Sequence, residues 1–260
     1  MRLRIVFCMA TLVALVATGL GTNGVASAHP SSGWWAAYTC TGGEIGSGTY
    51  ANIRVTGACS VAADAVIRVR GSLFVAGGAQ LDAQSAPSTI TVGHDVWAAP
   101  GSLVGLGCQP PSFTGNSAHQ CTVEPDGHST ITVYGSVLAF DANTVLLNGV
   151  TVNGSVWLLG GGGAIPWSIK NNTIGRNVTV FGVTAAWFGL LFNRIGGSAT
   201  LIKITANDPG DPTPTIYVVR NTVGWNLNCW GLGPNLSGGF IPGEVNTVGH
   251  QATGQCASLV

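Results

Sequence analysis

Charge is the scarcest property of this chain. Of 260 residues, ten are Lys or Arg and ten are Asp or Glu, together only 8%. Basic clusters are missing, which argues against nucleic acid and anionic membrane surfaces as partners, since both need grouped cations. No C-x2-C pair exists, which argues against a structural zinc site. No Gly-Lys-Ser/Thr step follows the glycine run at 160–163, so that run is not a phosphate-binding loop. No G-x-S-x-G nucleophile elbow occurs. Beyond residues 5–20, no apolar stretch is long enough to span a bilayer. The scarcity of charge does not imply disorder, because 46% of residues are hydrophobic and β-branched types abound. With 39 glycines and 12 prolines, the composition predicts many short strands joined by tight turns.

The start of the chain reads as a secretory leader. Arg2 and Arg4 precede the apolar run, and Ala26-Ser27-Ala28 forms an A-x-A cleavage site, which predicts a signal peptide over 1–28. Its removal leaves two more acidic than basic residues. The expected mature protein is exported, extracellular or held at the cell envelope, with no transmembrane segment.

What is abundant is a repeat. Eight five-residue units begin with a β-branched residue, continue through three residues that include glycine, and end on an apolar one. They start at Val69, Val92, Val133, Val152, Ile174, Ile195, Val223 and Val248. They end at Leu73, Val96, Val137, Val156, Val178, Ala199, Leu227 and Ala252. Successive starts lie 23, 41, 19, 22, 21, 28 and 25 residues apart. A period near ~20 residues signals a solenoid. The 41-residue gap predicts a degenerate copy near residues 103–107. Around the units, Ile53-Arg54-Val55, Thr89-Ile90-Thr91-Val92 and Ile131-Thr132-Val133 alternate as half-buried strands do.

Interruptions of the rhythm define the remaining organisation. Residues 29–50, with Trp34 and Trp35, read as an N-terminal cap over the first open coil. Residues 108–128 and 206–215 read as inserted loops, the second holding three prolines. Asp208 and Asp211 in that loop are weak candidates for calcium, since two carboxylates without a recognised ligand pattern say little. No cofactor is implied. The six cysteines beyond the leader allow 15 pairings. The sequence-local set, Cys40 with Cys59, Cys108 with Cys121 and Cys229 with Cys256, is favoured, each bond closing a loop of roughly 13–27 residues worth ~3 kcal/mol in the chain-entropy account.

Two columns follow from the register. Asn172, Asn193, Asn221 and Asn246 each lie two residues before a unit, so they stack as an asparagine ladder at one turn, a structural role. Phe74, Trp97, Leu138, Trp157, Thr179, Thr200 and Asn228 each follow the apolar end of a unit, so period two sends them outward. This places an apolar, aromatic stripe on the surface of the N-terminal half. Either it meets a ligand or partner, or an inserted segment such as 108–128 or the Trp187-Phe188 stretch covers it. Trp97, Trp157 and Phe74 are the expected contact residues, and aromatic faces suit stacking on sugar rings.

Polysaccharide-processing enzymes need paired carboxylates, or clustered Asp with a metal, plus a base. None of Glu44, Asp64, Asp82, Asp95, Glu124, Asp126, Asp141, Asp208, Asp211 and Glu244 recurs at the coil position of a neighbour. No catalytic residue is therefore assigned.

The Asn-Thr-Ile/Val-Gly units, Leu106-Gly107-Cys108-Gln109-Pro110 and the ending Gly254-Gln255-Cys256-Ala257-Ser258-Leu259 carry a resemblance. Over residues 40–260 the chain resembles secreted right-handed parallel β-helix proteins of high-GC Gram-positive bacteria. The resemblance implies fold and export, not a reaction. The fold is shared with pectate lyases, but their stacked calcium-binding aspartates and matched catalytic Arg are not found here. The expectation is an all-β, right-handed parallel β-helix of about nine coils of ~20–22 residues, filling 29–260 as a single domain. Its expected function is non-enzymatic, a rigid surface for a glycan or surface protein. The alternative is a polysaccharide-active lyase or hydrolase on the same scaffold.

Overall fold

From Tyr38 to Gly254 the chain winds as a parallel β-helix with three sheets along its length. The structure, a computed structural model, describes residues 36–114, 118–239 and 245–260. The expected leader, with Trp34 and Trp35, lies outside the described residues. Sheet A has ten strands and sheets B and C have nine each, which makes nine full coils and part of a tenth. The first coil supplies Tyr38–Cys40 to sheet A, Gly43–Ile45 to sheet B and Gly48–Tyr50 to sheet C. Residues 38–50, expected to cap the solenoid, are thus its first coil.

The repeated unit is the corner between sheets C and A. Its β-branched starts pair in one unbroken column on sheet C, from Val69 beside Val92 to Val223 beside Val248. Its apolar ends pair in a column on sheet A, from Leu73 beside Val96 to Leu227 beside Ala252. Nearly all of these side chains point inward and are buried. Each buried Val, Ile or Leu contributes roughly 1.5–3 kcal/mol, and a slip of one residue would turn a whole strand inside out. Apolar alternation therefore fixes the register. The core also takes Trp167, whose indole N–H donates to the Asn143 carbonyl at 2.9 Å, so its one polar atom is satisfied.

The expected degenerate copy near residues 103–107 does not exist. Val92 pairs directly with Val133, and Val96 with Val137. Leu103–Leu106 is the sheet B strand of that same coil and aligns with Thr144–Asn148. The 41-residue gap is one coil whose corner between sheets B and C carries an insertion, not two coils.

Polar ladders hold two corners. Asn193 Oδ1 accepts the backbone N–H of Asn172 at 3.0 Å and its Nδ2–H at 3.0 Å, while Asn193 Nδ2 donates to the Ile169 carbonyl at 2.8 Å. Asn221 and Asn246 repeat the pattern. These asparagines do not themselves take the left-handed backbone. The residue before each does so in three coils, at Asn171 (φ 59), Phe192 (φ 56) and Arg220 (φ 50). That leaves the ladder amides free to cap the turn. A second ladder runs along the corner between C and A, just before each apolar end. Ser72, Asp95, Ser136, Ser155, Asn177 and Ser198 each accept the backbone N–H of the next coil at this column, at 2.7–3.3 Å.

Tight stacking explains the glycine run at 160–163. It forms the corner between A and B, where a Cβ on Gly162 would fall 1.7 Å from the Thr184 carbonyl oxygen. Disulfides join Cys40 to Cys59, Cys108 to Cys121 and Cys229 to Cys256. The last bond ties the ninth sheet A strand to the 3-10 turn Gln255–Ser258 at the solenoid's end.

Candidate functional site

Period two gives sheet A two outward columns. The first runs Arg54, Phe74, Trp97, Leu138, Trp157, Thr179, Thr200, Asn228 and Thr253, each paired with the next. This is the stripe expected from the sequence, and it faces solvent. Trp97 is 36% exposed and Trp157 40%. Phe74 and Leu138 are half-buried, and the Arg54 guanidinium lies 4.8 Å over the Phe74 ring, a cation–π contact.

The sequence reading missed the second column. Phe140, Leu159, Phe181, Ile202 and Trp230 stand two residues further along their strands and pair in order. Phe140, Phe181 and Trp230 are 39%, 44% and 46% exposed. The signal was present. A strand that continues past the first outward residue presents another after one inward step, and the five sheet A strands from Val137–Phe140 to Leu227–Trp230 are four residues long. Trp97 and Phe140 join the columns, their rings nearly parallel (20°) with centroids 6.1 Å apart.

Among the described residues, neither expected cover lies on this face. Phe188 is a core residue of sheet B, and Trp187 meets Tyr217 edge-on over that sheet. The insertion after Leu106 folds against sheet B as well. Val123 N–H donates to the Ser85 carbonyl at 2.8 Å, and Lys170 Nζ donates to the Ala118 carbonyl at 3.1 Å. Sheet A is nearly uncharged. Its ten strands hold one charged side chain, Arg54, and no carboxylate. Lys203, at the corner beyond, reaches back over the Phe181 ring at 5.7 Å. Towards the C-terminal end the first column becomes hydroxyl and amide. Asn228 Nδ2 donates to Thr200 Oγ1 at 3.3 Å, and Thr253 Oγ1 donates to Asn228 Oδ1 at 2.8 Å.

The titratable groups gather elsewhere. Lys170 and Asp82 stand three strands apart on sheet B, and His119 of the insertion feels the charge of both. Burial lowers the pKa of the Lys170 amine below the ordinary lysine value. His119 is lowered by burial first and by the Lys170 charge second, against an opposing pull from Asp82. Asp82 is engaged in a local turn, its Oδ1 accepting the Gln84 and Ser85 N–H groups and its Oδ2 the Ser85 hydroxyl. Nearby, Asn148 Nδ2 and Gln109 Oε1 are buried without a hydrogen bond among the described residues.

The other candidates are local too. Asp208 Oδ1 accepts the Gly210 N–H and Asp211 Oδ1 the Thr213 N–H, both at 2.8 Å, so each carboxylate caps its own turn. Among the described residues, no three His, Cys, Asp or Glu side chains are grouped to hold a metal ion. Among them, no helix is long and apolar enough to cross a membrane. No family model matches this chain, and no curated protein or solved structure matches it.

Proposed function

We propose that this is an exported or envelope-associated β-helix protein of non-enzymatic type, which binds a glycan on the outer face of sheet A. One observation carries the reading: solvent-facing Trp and Phe rings on a rigid, in-register sheet that is almost without charge. Aromatic rings offer apolar faces to the C–H faces of sugars, and neighbouring Thr and Asn side chains answer their hydroxyls. An apolar patch of this extent on a monomer marks an interaction surface. The apolar leader and the three disulfides support export. So does the resemblance to secreted β-helix proteins.

A lyase or hydrolase is the competing reading, and the Lys170, His119 and Asp82 group favours it. A lysine amine of lowered pKa is the kind of group that accepts a proton in such chemistry. Incubating the purified protein with plant, fungal and bacterial envelope polysaccharides separates the two. Retention on a polymer without new reducing or unsaturated ends is the expected result. Release of such ends would replace the binding reading with the enzymatic one. If neither occurred, the glycan assignment would fall, and a protein partner would take its place.

A further inference from the structure

The order of the rings on sheet A says more than their number. Numbering coils by sheet A strand, Trp97 lies on the fourth coil in the first column and Phe140 on the fifth in the second. Trp157 follows on the sixth coil in the first column, and Phe181 on the seventh in the second. Coils four to seven therefore carry one exposed ring each, and the rings alternate sides. Within a column they recur every second coil, with Leu138 between Trp97 and Trp157 and Leu159 between Phe140 and Phe181. The second column continues the pattern through Ile202 to Trp230 on the ninth coil.

One coil advances the solenoid by the strand spacing, about 4.8 Å, so rings in one column lie about 9.6 Å apart. An extended polymer bound along the axis would place one monomer over each coil and two over each column repeat. β-1,4-linked pyranose chains have this form. Each sugar adds close to one coil's length, and successive sugars flip, so that like faces recur at every second residue. α-1,4-linked and β-1,3-linked chains coil instead and cannot keep step with a straight ladder. Charge narrows the class further. A polyanion would need a row of cations, yet the sheet A strands hold Arg54 alone, and the corners beside them add only the scattered Arg70, Arg176 and Lys203, with Asp95 and Asp141 of opposite sign.

We infer that the zigzag of Trp97, Phe140, Trp157 and Phe181 is a binding track for an uncharged, extended β-1,4-linked polysaccharide lying along the solenoid axis, one sugar to a coil. This rests on the glycan-binding reading above and specifies its ligand.

The test uses the purified protein in depletion assays with microcrystalline cellulose and chitin. Granular starch and a β-1,3-glucan serve as linkage controls, and pectate as the charge control. The expected result is retention on cellulose or chitin and at most weak retention on the other three. Trp157→Thr is chosen because the next residue in its column, Thr179, shows that the strand accepts threonine. This variant should bind about tenfold more weakly, as loss of one central ring removes a dominant contact. Trp225→Ala should leave binding unchanged, since Trp225 stacks on His250 at the corner and not on sheet A. A second arm keeps both rings and changes only their phase. The double variant Leu138→Trp with Trp157→Leu should lose affinity like Trp157→Thr.

Equal retention on starch or β-1,3-glucan through the same tryptophans would overturn the linkage assignment and leave glycan binding standing. An affinity that ignores the phase change would do the same. No retention on any polymer would overturn both readings. So would self-association that Trp157→Thr abolishes, which would make the face a contact between copies.

Discussion

Asn193 shows how much one side chain carries in this fold. It is buried, accepts two hydrogen bonds from Asn172, and donates to the Ile169 carbonyl and to Asn221 Oδ1. Asn193→Ala would remove all four side-chain bonds, at about 0.5–1.5 kcal/mol net each. We expect a loss of about 3 kcal/mol or more in urea unfolding. Asn177 at the other ladder is the contrast, since Ser155 and Ser198 hold its column in adjacent coils. Asn177→Ser should stay within about 0.5 kcal/mol of the parent protein. Equal losses for the two substitutions would show that the asparagine ladder is ornamental. The ladder asparagines were legible in the sequence because they keep a constant offset from a strong repeat. The serine-rich corner ladder was missed because Ser, Asp and Asn interchange there, and only the common acceptor role unites them.

The insertion after Leu106 is the element most exposed to pH. His119 sits in it with its pKa lowered from 6.5, chiefly by burial and then by Lys170. A histidine whose folded pKa lies below its unfolded value takes up its proton more readily when unfolded. Its contribution to stability is therefore intact above 6.5 and is lost as pH falls from 6.5 through the lowered folded value. We expect the melting temperature to fall more between pH 8 and pH 5 in the parent protein than in His119→Gln. Parallel curves for the two proteins would remove His119 from the account. The insertion's presence was readable from the break in rhythm and the cysteine pair. Its seat on sheet B was not, because that depends on which coil corner the chain leaves from. The same ambiguity produced the expected copy near 103–107, since 41 residues fit two coils as well as one coil with a loop.

For the whole molecule, the ends matter most, because interior coils are paired on both sides and terminal ones are not. The bond between Cys229 and Cys256 closes a loop of 27 residues across the C-terminal end. Replacing both cysteines by serine should cost about 3.5 kcal/mol in the chain-entropy account. The loss should appear as a lower unfolding midpoint, with the same shift on reducing the parent protein's C-terminal bond. An unchanged midpoint would mean that the terminal turn holds by packing alone. Binding should be unaffected if the track runs over coils four to seven, which separates an end effect from a surface effect.

The sequence by itself determined the coil register of the repeated unit, the asparagine ladder and the outward stripe through Phe74, Trp97 and Trp157. Each of these follows from periodicity along the chain, and a solenoid turns sequence spacing directly into spatial stacking. Among the fifteen pairings the cysteines allow, the structure selects the local one. Only the tertiary structure decided which corner carries the insertion and where the aromatic face stands open. It also decided that Phe140, Phe181 and Trp230 share that face, and that Phe140 and Phe181 alternate with Trp97 and Trp157. These depend on strand length and on where each loop folds back, and neither leaves a period in the sequence.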